Sequence, residues 1–183
     1  MVTILFSHPW HGSFNKSILD TITGKYDKEN TPYHIIDLNK DNFNPVMTEA
    51  ELALYSTGGY TDPLVGKYQE ILKKTTKLVI MFPVWWSRPP AILQGFFDKV
   101  MLLDFAFNYQ NGWTTLLNHI ENAVVITTSQ QPTSSLTEAV NVFTATSLNP
   151  LGITNSVWFN CERVTSGTDD ERRSFLKTIE ENV

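Results

Sequence analysis

Five short apolar runs, each stopped by turn-forming residues and separated by longer segments of helical period, constrain this chain more than any other feature of it. Val2 to Phe6 closes at Ser7-His8-Pro9, and Tyr33 to Asp37 is opened by Pro32. Leu78 to Phe82 ends at Pro83, and Ala123 to Thr127 forms the fourth run. Ile153 to Phe159 is entered through Pro150-Leu151-Gly152. Runs that are apolar without alternation suit strands covered on both faces, as in a parallel sheet. Between them, Phe14 to Gly24, Leu64 to Thr76, Pro90 to Leu103 and Ser135 to Ser147 read as helices, and Asp169 to Asn182 as a terminal one. Pro90 sits at or near a permitted first turn, Gly24 is the expected stop of the first helix, and three acidic residues open the last where the helix dipole favours them. Strand and helix alternate about five times, which predicts a doubly wound α/β sheet with right-handed crossovers. The longest irregular piece, Asn39 to Pro63, is expected to hold a short helix from Thr48 to Tyr55.

A chain of 183 residues fits one domain, residues 1–183, and its 42% hydrophobic and 18% charged content is that of a globular protein. Net charge of -5 without a basic cluster argues against nucleic acid and anionic membranes as partners. A single cysteine, Cys161, excludes an internal disulfide and fits a reducing compartment. No apolar stretch approaches the roughly 18 residues that span a bilayer, and the N-terminal run lacks a basic lead, so a cytoplasmic protein with no membrane insertion is expected.

Ligands of open α/β sheets bind beyond the carboxyl ends of the strands, where strand order reverses. The loops after the first, third and fourth strands are also the unusual ones in composition. His8-Pro9-Trp10-His11-Gly12-Ser13-Phe14-Asn15 has neither the glycine fingerprint of a dinucleotide fold nor a Walker lysine. Ser13 can cap the helix that follows, and Asn15 with the free backbone N–H groups can face an anion. A helix terminus supplies about 0.3 to 2 kcal/mol for a charge. Micromolar binding needs roughly 8 kcal/mol, so this loop cannot hold a nucleotide alone. In Pro83-Val84-Trp85-Trp86-Ser87-Arg88-Pro89-Pro90, adjacent tryptophans on extended backbone face opposite ways, so at least one is expected to line a pocket or an interface. Thr127-Thr128-Ser129-Gln130-Gln131 offers small hydroxyls and amides to a polar ring edge. Together the loops predict a phosphate site at one end and a flat polar heterocycle at the other. No metal site is expected.

At these residues the sequence resembles the NAD(P)H:quinone oxidoreductase family, the DT-diaphorase and modulator-of-drug-activity group. The most specific stretch runs from Phe82 through Val100: Phe-Pro-Val-Trp-Trp-Ser-Arg-Pro-Pro-Ala-Ile-Leu-Gln-Gly-Phe-Phe-Asp-Lys-Val. The resemblance implies a flavodoxin-like, five-stranded parallel sheet in the order 2-1-3-4-5 with helices on both faces. It implies that His8, Ser13, Phe14 and Asn15 hold a flavin phosphate and ribityl chain. Pro83, Val84, Trp85, Trp86 and Ser87 would present backbone to the isoalloxazine, and Thr127, Thr128, Ser129 and Gln130 would meet its other edge. The segment from Asp104 to Tyr109 resembles one that reaches over the flavin of a partner subunit, which implies a homodimer with Phe107 and Tyr109 at the acceptor site. FMN is favoured over FAD because the chain is short, with NADPH or NADH as donor and a quinone-type acceptor.

The sequence also departs from the family. Ser129 and Gln130 stand where a glycine pair is common, and residues 131 to 150 lack the tyrosine and histidine that larger members place there. Catalysis is therefore expected to rest on cofactor binding and backbone dipoles, with no side chain assigned as acid or base. The resemblance leaves alternatives open: a nitro- or azoreductase, a regulatory subunit of a potassium-efflux system, or a one-electron flavodoxin carrier.

Overall fold

A computed structural model describes residues 1–110 and 112–183. Seven strands and six α-helices follow one another among the described residues. β1 is Val2–Phe6, α1 Phe14–Glu29, β2 Tyr33–Asp37, α2 Glu49–Leu54, α3 Pro63–Leu72, β3 Lys77–Pro83 and α4 Ala91–Val100. β4 (Phe107–Asn108) and β5 (Thr114–Thr115) form a small antiparallel hairpin. β6 (Asn122–Thr128), α5 (Thr133–Phe143), β7 (Ser156–Cys161) and α6 (Asp169–Asn182) complete the fold. The main sheet is parallel, in the order β2-β1-β3-β6-β7. Leaving out the hairpin, this is the 2-1-3-4-5 order expected from the sequence.

Successive strand residues point to opposite faces, and the core divides accordingly. Leu5, Leu78, Ile80, Phe82 and Val125 pack with α3, α4 and α5 on one face. Ile4, Phe6, Val79, Met81, Val124 and Ile126 pack with α1 and α6 on the other. β1, β3 and β6 are central and bury nearly every side chain, which is why they read as unbroken apolar runs. β2 is an edge strand and leaves His34 and Ile35 exposed.

Several boundaries differ from the sequence reading. The first helix does not end at Gly24 but runs on to Glu29. An added Cβ at Gly24 would meet nothing within 4 Å, so the glycine sits at an open helical position. Tyr26 extends the buried stripe of Ile18, Leu19 and Ile22, and the helix ends at Asn30, with φ of 55°. The third helix stops at Leu72, short of the expected Thr76, and the fourth at Val100, short of Leu103. α5 starts at Thr133 and gives way to a π-helical turn, Thr144–Leu148. The last sheet strand starts at Ser156, because Ile153 is buried in the turn that precedes it. The hairpin of β4 and β5 was not expected.

Candidate functional site

The carboxyl ends of β1, β3, β6 and β7 open into one cavity of about 410 Å³, within the range of roughly 300 to 1,000 Å³ typical of cofactor sites. Four loops line it. The first contributes His8, Trp10, Ser13, Phe14 and Asn15; the second Pro83, Val84 and Trp85; the third Thr128, Ser129 and Gln130; the fourth Val164 and Thr165.

The first loop ends in a capped helix. Ser13 has extended backbone, and its hydroxyl accepts from Lys16 N–H at 3.3 Å. The N–H groups of Phe14 and Asn15 belong to the first turn, where no intrahelical acceptor exists. Trp10 N–H donates to His8 Nδ1 at 3.1 Å. An accepting Nδ1 carries no proton, so the neutral ring holds its hydrogen on Nε2. Burial, aided by the neighbouring His11, pulls the His8 pKa below the ordinary histidine value and favours that neutral form. Asn15 is buried and donates through Nδ2 to Thr128 Oγ1 at 2.7 Å, while its Oδ1 has no hydrogen-bond partner. A buried orphan acceptor costs about 1 to 3 kcal/mol, which a ligand donor would recover.

The second loop is a tight reversal. Trp85 and Arg88 exchange two backbone hydrogen bonds of 3.0 Å each, and Trp86 and Ser87 between them have φ of 53° and 58°. Positive φ at both central residues is the geometry of a hairpin turn that ordinarily takes Asn-Gly. Residues with a Cβ pay about 1 to 2 kcal/mol each for the left-handed region. The turn turns both tryptophans outward: Trp85 walls the cavity, and Trp86 is 96% exposed. Trp86 and Ser87 line an annex of about 270 Å³ that shares Val84, Trp85, Ser129 and Gln130 with the cavity.

The third loop is tied to its neighbours. Thr128 C=O accepts from Val84 N–H at 2.8 Å, and Ser129 N–H donates to Cys161 C=O at 2.9 Å. Thr127 departs from expectation. It is wholly buried and does not line the cavity; its hydroxyl accepts from Trp158 Nε1 and donates to Asn160 Oδ1, both at 2.8 Å. Gln130 reaches the cavity, but its amide is engaged by Thr165 and Ser166.

The sequence reading missed the fourth loop. The strand-end rule that marked the loops after β1, β3 and β6 applies equally to β7, and the hydroxyl-rich run Thr165-Ser166-Gly167-Thr168 was the available signal. Trp10 was also overlooked. Phe107 and Tyr109 lie elsewhere, on the β4–β5 hairpin, and neither lines the cavity of its own chain. Phe107 stacks on Trp113 with centroids 4.3 Å apart, and Tyr109 meets both edge-on.

The walls of cavity and annex contain no lysine, arginine, aspartate or glutamate among the described residues, and His8 is their one ionisable side chain. No group of three or more histidine, cysteine or acidic side chains among the described residues could hold a metal ion. The site can therefore bind through N–H dipoles, hydroxyls, amides and aromatic faces.

A family model for the flavodoxin-like fold matches residues 1–183. The chain belongs to the flavodoxin-like fold family. Among its relatives, an uncharacterized NAD(P)H oxidoreductase of Escherichia coli is 33% identical over 101 residues, covering 54% of this chain and 51% of that protein. An FMN-dependent NADH:quinone oxidoreductase of Mycoplasma mobile is 27% identical over 99 residues, covering 54% of this chain and 48% of that protein. The matched region thus spans about half the length of these curated relatives. A solved structure, the NAD(P)H:quinone oxidoreductase from Methanothermobacter marburgensis, superposes with a TM-score of 0.87 at 25% identity, covering 98% of this chain and 95% of that one.

Proposed function

We propose that this flavodoxin-like protein is a flavin-dependent NAD(P)H:quinone oxidoreductase, with FMN bound across the cavity and its annex. The observation that carries the reading is the chemical polarity of the cavity. One end offers a helix N-terminus, a neutral His8 and the orphan acceptor of Asn15, and the other offers an aromatic wall and a strained backbone turn. The names of the relatives in Mycoplasma mobile and Methanothermobacter marburgensis support the same activity.

The residues present fit FMN. The N–H groups of Phe14 and Asn15, the Ser13 hydroxyl and His8 Nε2–H would hold the phosphate, which a helix N-terminus favours. Asn15 Oδ1 would accept from a ribityl hydroxyl. Trp85 would cover the heterocycle, with backbone of Trp86, Ser87 and Gln130 along its edges. When bound, FMN supplies the chemistry of accepting and returning a hydride. The protein orients the ring, excludes water from one side and sets dipoles toward its edge. With His8 engaged at the phosphate end, the walls hold, among the described residues, no side chain suited to proton transfer beside the heterocycle. NADH or NADPH and the quinone would use the same open side of the annex in turn, so double-displacement kinetics are expected. Tyr109, exposed on the hairpin, would meet the acceptor in the annex of a second copy, in a homodimer, while Phe107 is buried and packs edge-on against it instead of reaching the acceptor itself.

Purified protein incubated with FMN should retain a yellow chromophore through gel filtration. It should bleach under NADH or NADPH without air and recover colour with a benzoquinone. Protein that takes up neither FMN nor FAD would overturn the reading.

A further inference from the structure

Beneath the third loop lies a chain of side-chain hydrogen bonds that none of the residues assigned to the cofactor explains. Trp158 Nε1 donates to Thr127 Oγ1 at 2.8 Å, and Thr127 Oγ1 donates to Asn160 Oδ1 at 2.8 Å. Asn160 Nδ2 donates to Ser129 Oγ at 3.1 Å and to Thr133 Oγ1 at 3.0 Å. Ser129 Oγ donates to Gln131 C=O at 2.8 Å.

The direction of this chain is fixed at its origin. An indole N–H is a donor only, so the Thr127 hydroxyl must accept from Trp158, and its one proton goes to Asn160 Oδ1 at 2.8 Å in preference to the Phe159 carbonyl at 3.5 Å. The carboxamide oxygen therefore faces Thr127, and both amide hydrogens face the hydroxyls of Ser129 and Thr133. Ser129 in turn has one proton, directed at Gln131. Every donor of the Asn160 amide is used, and each link sets the next.

We propose that Asn160 is a positioning residue for the cofactor loop Thr128–Gln131; the proposal rests on the functional reading given above. Asn160 lies outside the cavity lining. It acts through Ser129, which is buried at the cavity wall, and through Gln131, which lines the annex. Its second amide hydrogen fastens Thr133 at the start of α5, so the loop is held at both ends from β7. A loop pinned in this way meets a planar ligand with its backbone already ordered, and less ordering is lost on binding.

Two variants separate the links. N160L removes the amide with little change in volume. N160D keeps an acceptor for Thr127 but has no hydrogen for Ser129, whose hydroxyl must then turn from Gln131 to satisfy the carboxylate. Amide hydrogen exchange of ligand-free protein should accelerate at least about tenfold at residues 129–131 in both variants, with Ala123 to Ile126 unchanged. FMN affinity should fall about tenfold, the size of one net hydrogen bond. The visible absorption band of the bound flavin should shift. In an S129A background N160L should cost less than about threefold more, because the two residues act through one link. Unchanged exchange at residues 129–131 overturns the proposal. So do fully additive losses in the double variant, or an FMN affinity and spectrum that stay those of the parent. Parent protein that binds no FMN overturns the functional reading instead, and the exchange data then judge the hold on the loop by themselves.

Discussion

Asn15, at the start of α1, donates through its amide to the hydroxyl of Thr128, at the end of β6, across 2.7 Å and 113 positions of sequence. The bond joins the loop that would hold a phosphate to the loop that would meet the heterocycle, and it leaves Asn15 Oδ1 buried and unpartnered. N15A removes the tie and the orphan acceptor together. It should weaken FMN binding by about 10- to 100-fold, the equivalent of one or two hydrogen bonds. T128V leaves the Asn15 amide without its acceptor and should lose about tenfold, while T128S should stay near the parent value. Quenching of flavin fluorescence on titration with protein measures all three.

A phosphate held without a cation gives a salt dependence of its own. The cavity walls carry no formal positive charge among the described residues, so the dianion would be met by N–H dipoles that are partly shielded from solvent. Exposed ion pairs weaken as the Debye length shrinks from about 10 Å at 0.1 M salt to about 3 Å at 1 M. FMN affinity should therefore change less than about threefold between 0.05 and 0.5 M potassium chloride. A tenfold loss in the same titration would show that a basic side chain outside this cavity carries the phosphate.

The sheet was legible in the sequence because burial on both faces leaves a continuous apolar run. β1 and β2 carry the expected bounds, β3 and β6 are one residue longer at each end, and α6 spans the expected Asp169–Asn182. Helix ends were less legible. Gly24 looks like a stop, but its open surroundings let the helix pass, and Asn30 supplies the left-handed cap instead. Most candidate residues converge on the cavity because strand ends fix their loops. Thr127 does not, since one step along a strand reverses the facing of a side chain, and its neighbour Thr128 takes the cavity side. Asn160 was invisible as a site residue. Its role depends on which atoms lie opposite it across β6 and β7, a matter of register that composition does not encode.

Glu162 gives a pH dependence whose sign can be worked out. Its carboxylate accepts the backbone N–H of Thr133 at 2.6 Å and so caps α5, whose N-cap residue Pro132 has no side chain to do so. The Thr133 backbone bond, with the Thr133 hydroxyl, holds the Glu162 pKa below the ordinary 4.5. A carboxyl with a depressed folded pKa contributes its full stability above the unfolded value and loses it as pH falls through the folded one. Stability of the parent should therefore decline below about pH 4.5 by a component that E162Q lacks. E162Q should be the less stable protein at pH 7, with the gap narrowing as pH falls below the ordinary carboxylate value. Urea midpoints across that range measure it, and a gap that widens on acidification would refute the assignment.

Lys99 on α4 is the other charge whose surroundings dictate an outcome. Its side chain is 2% exposed, with Nζ 2.9 Å from Glu51 Oε1, 2.8 Å from Asn44 C=O and 3.8 Å from Asp62 Oδ2. Three points of the long excursion between β2 and α3 are thus drawn to one ammonium, which also lies 5.3 Å from the ring centroid of Phe43. Glu51 has a second duty: it closes the capping box of α2 with Thr48. Removing one partner of a buried pair strands the other, at a cost of about 3 to 5 kcal/mol. K99M should therefore lose about that much stability, because methionine fills the space but leaves the Glu51 carboxylate unpaired. The E51Q/K99M double variant should recover more than half of the loss, since glutamine keeps the cap on α2 and carries no charge to strand. If denaturant unfolding shows the double variant to be no more stable than K99M, the ammonium's hydrogen bond to Asn44 and its contact with the Phe43 ring supply the stability, and the ion pair does not.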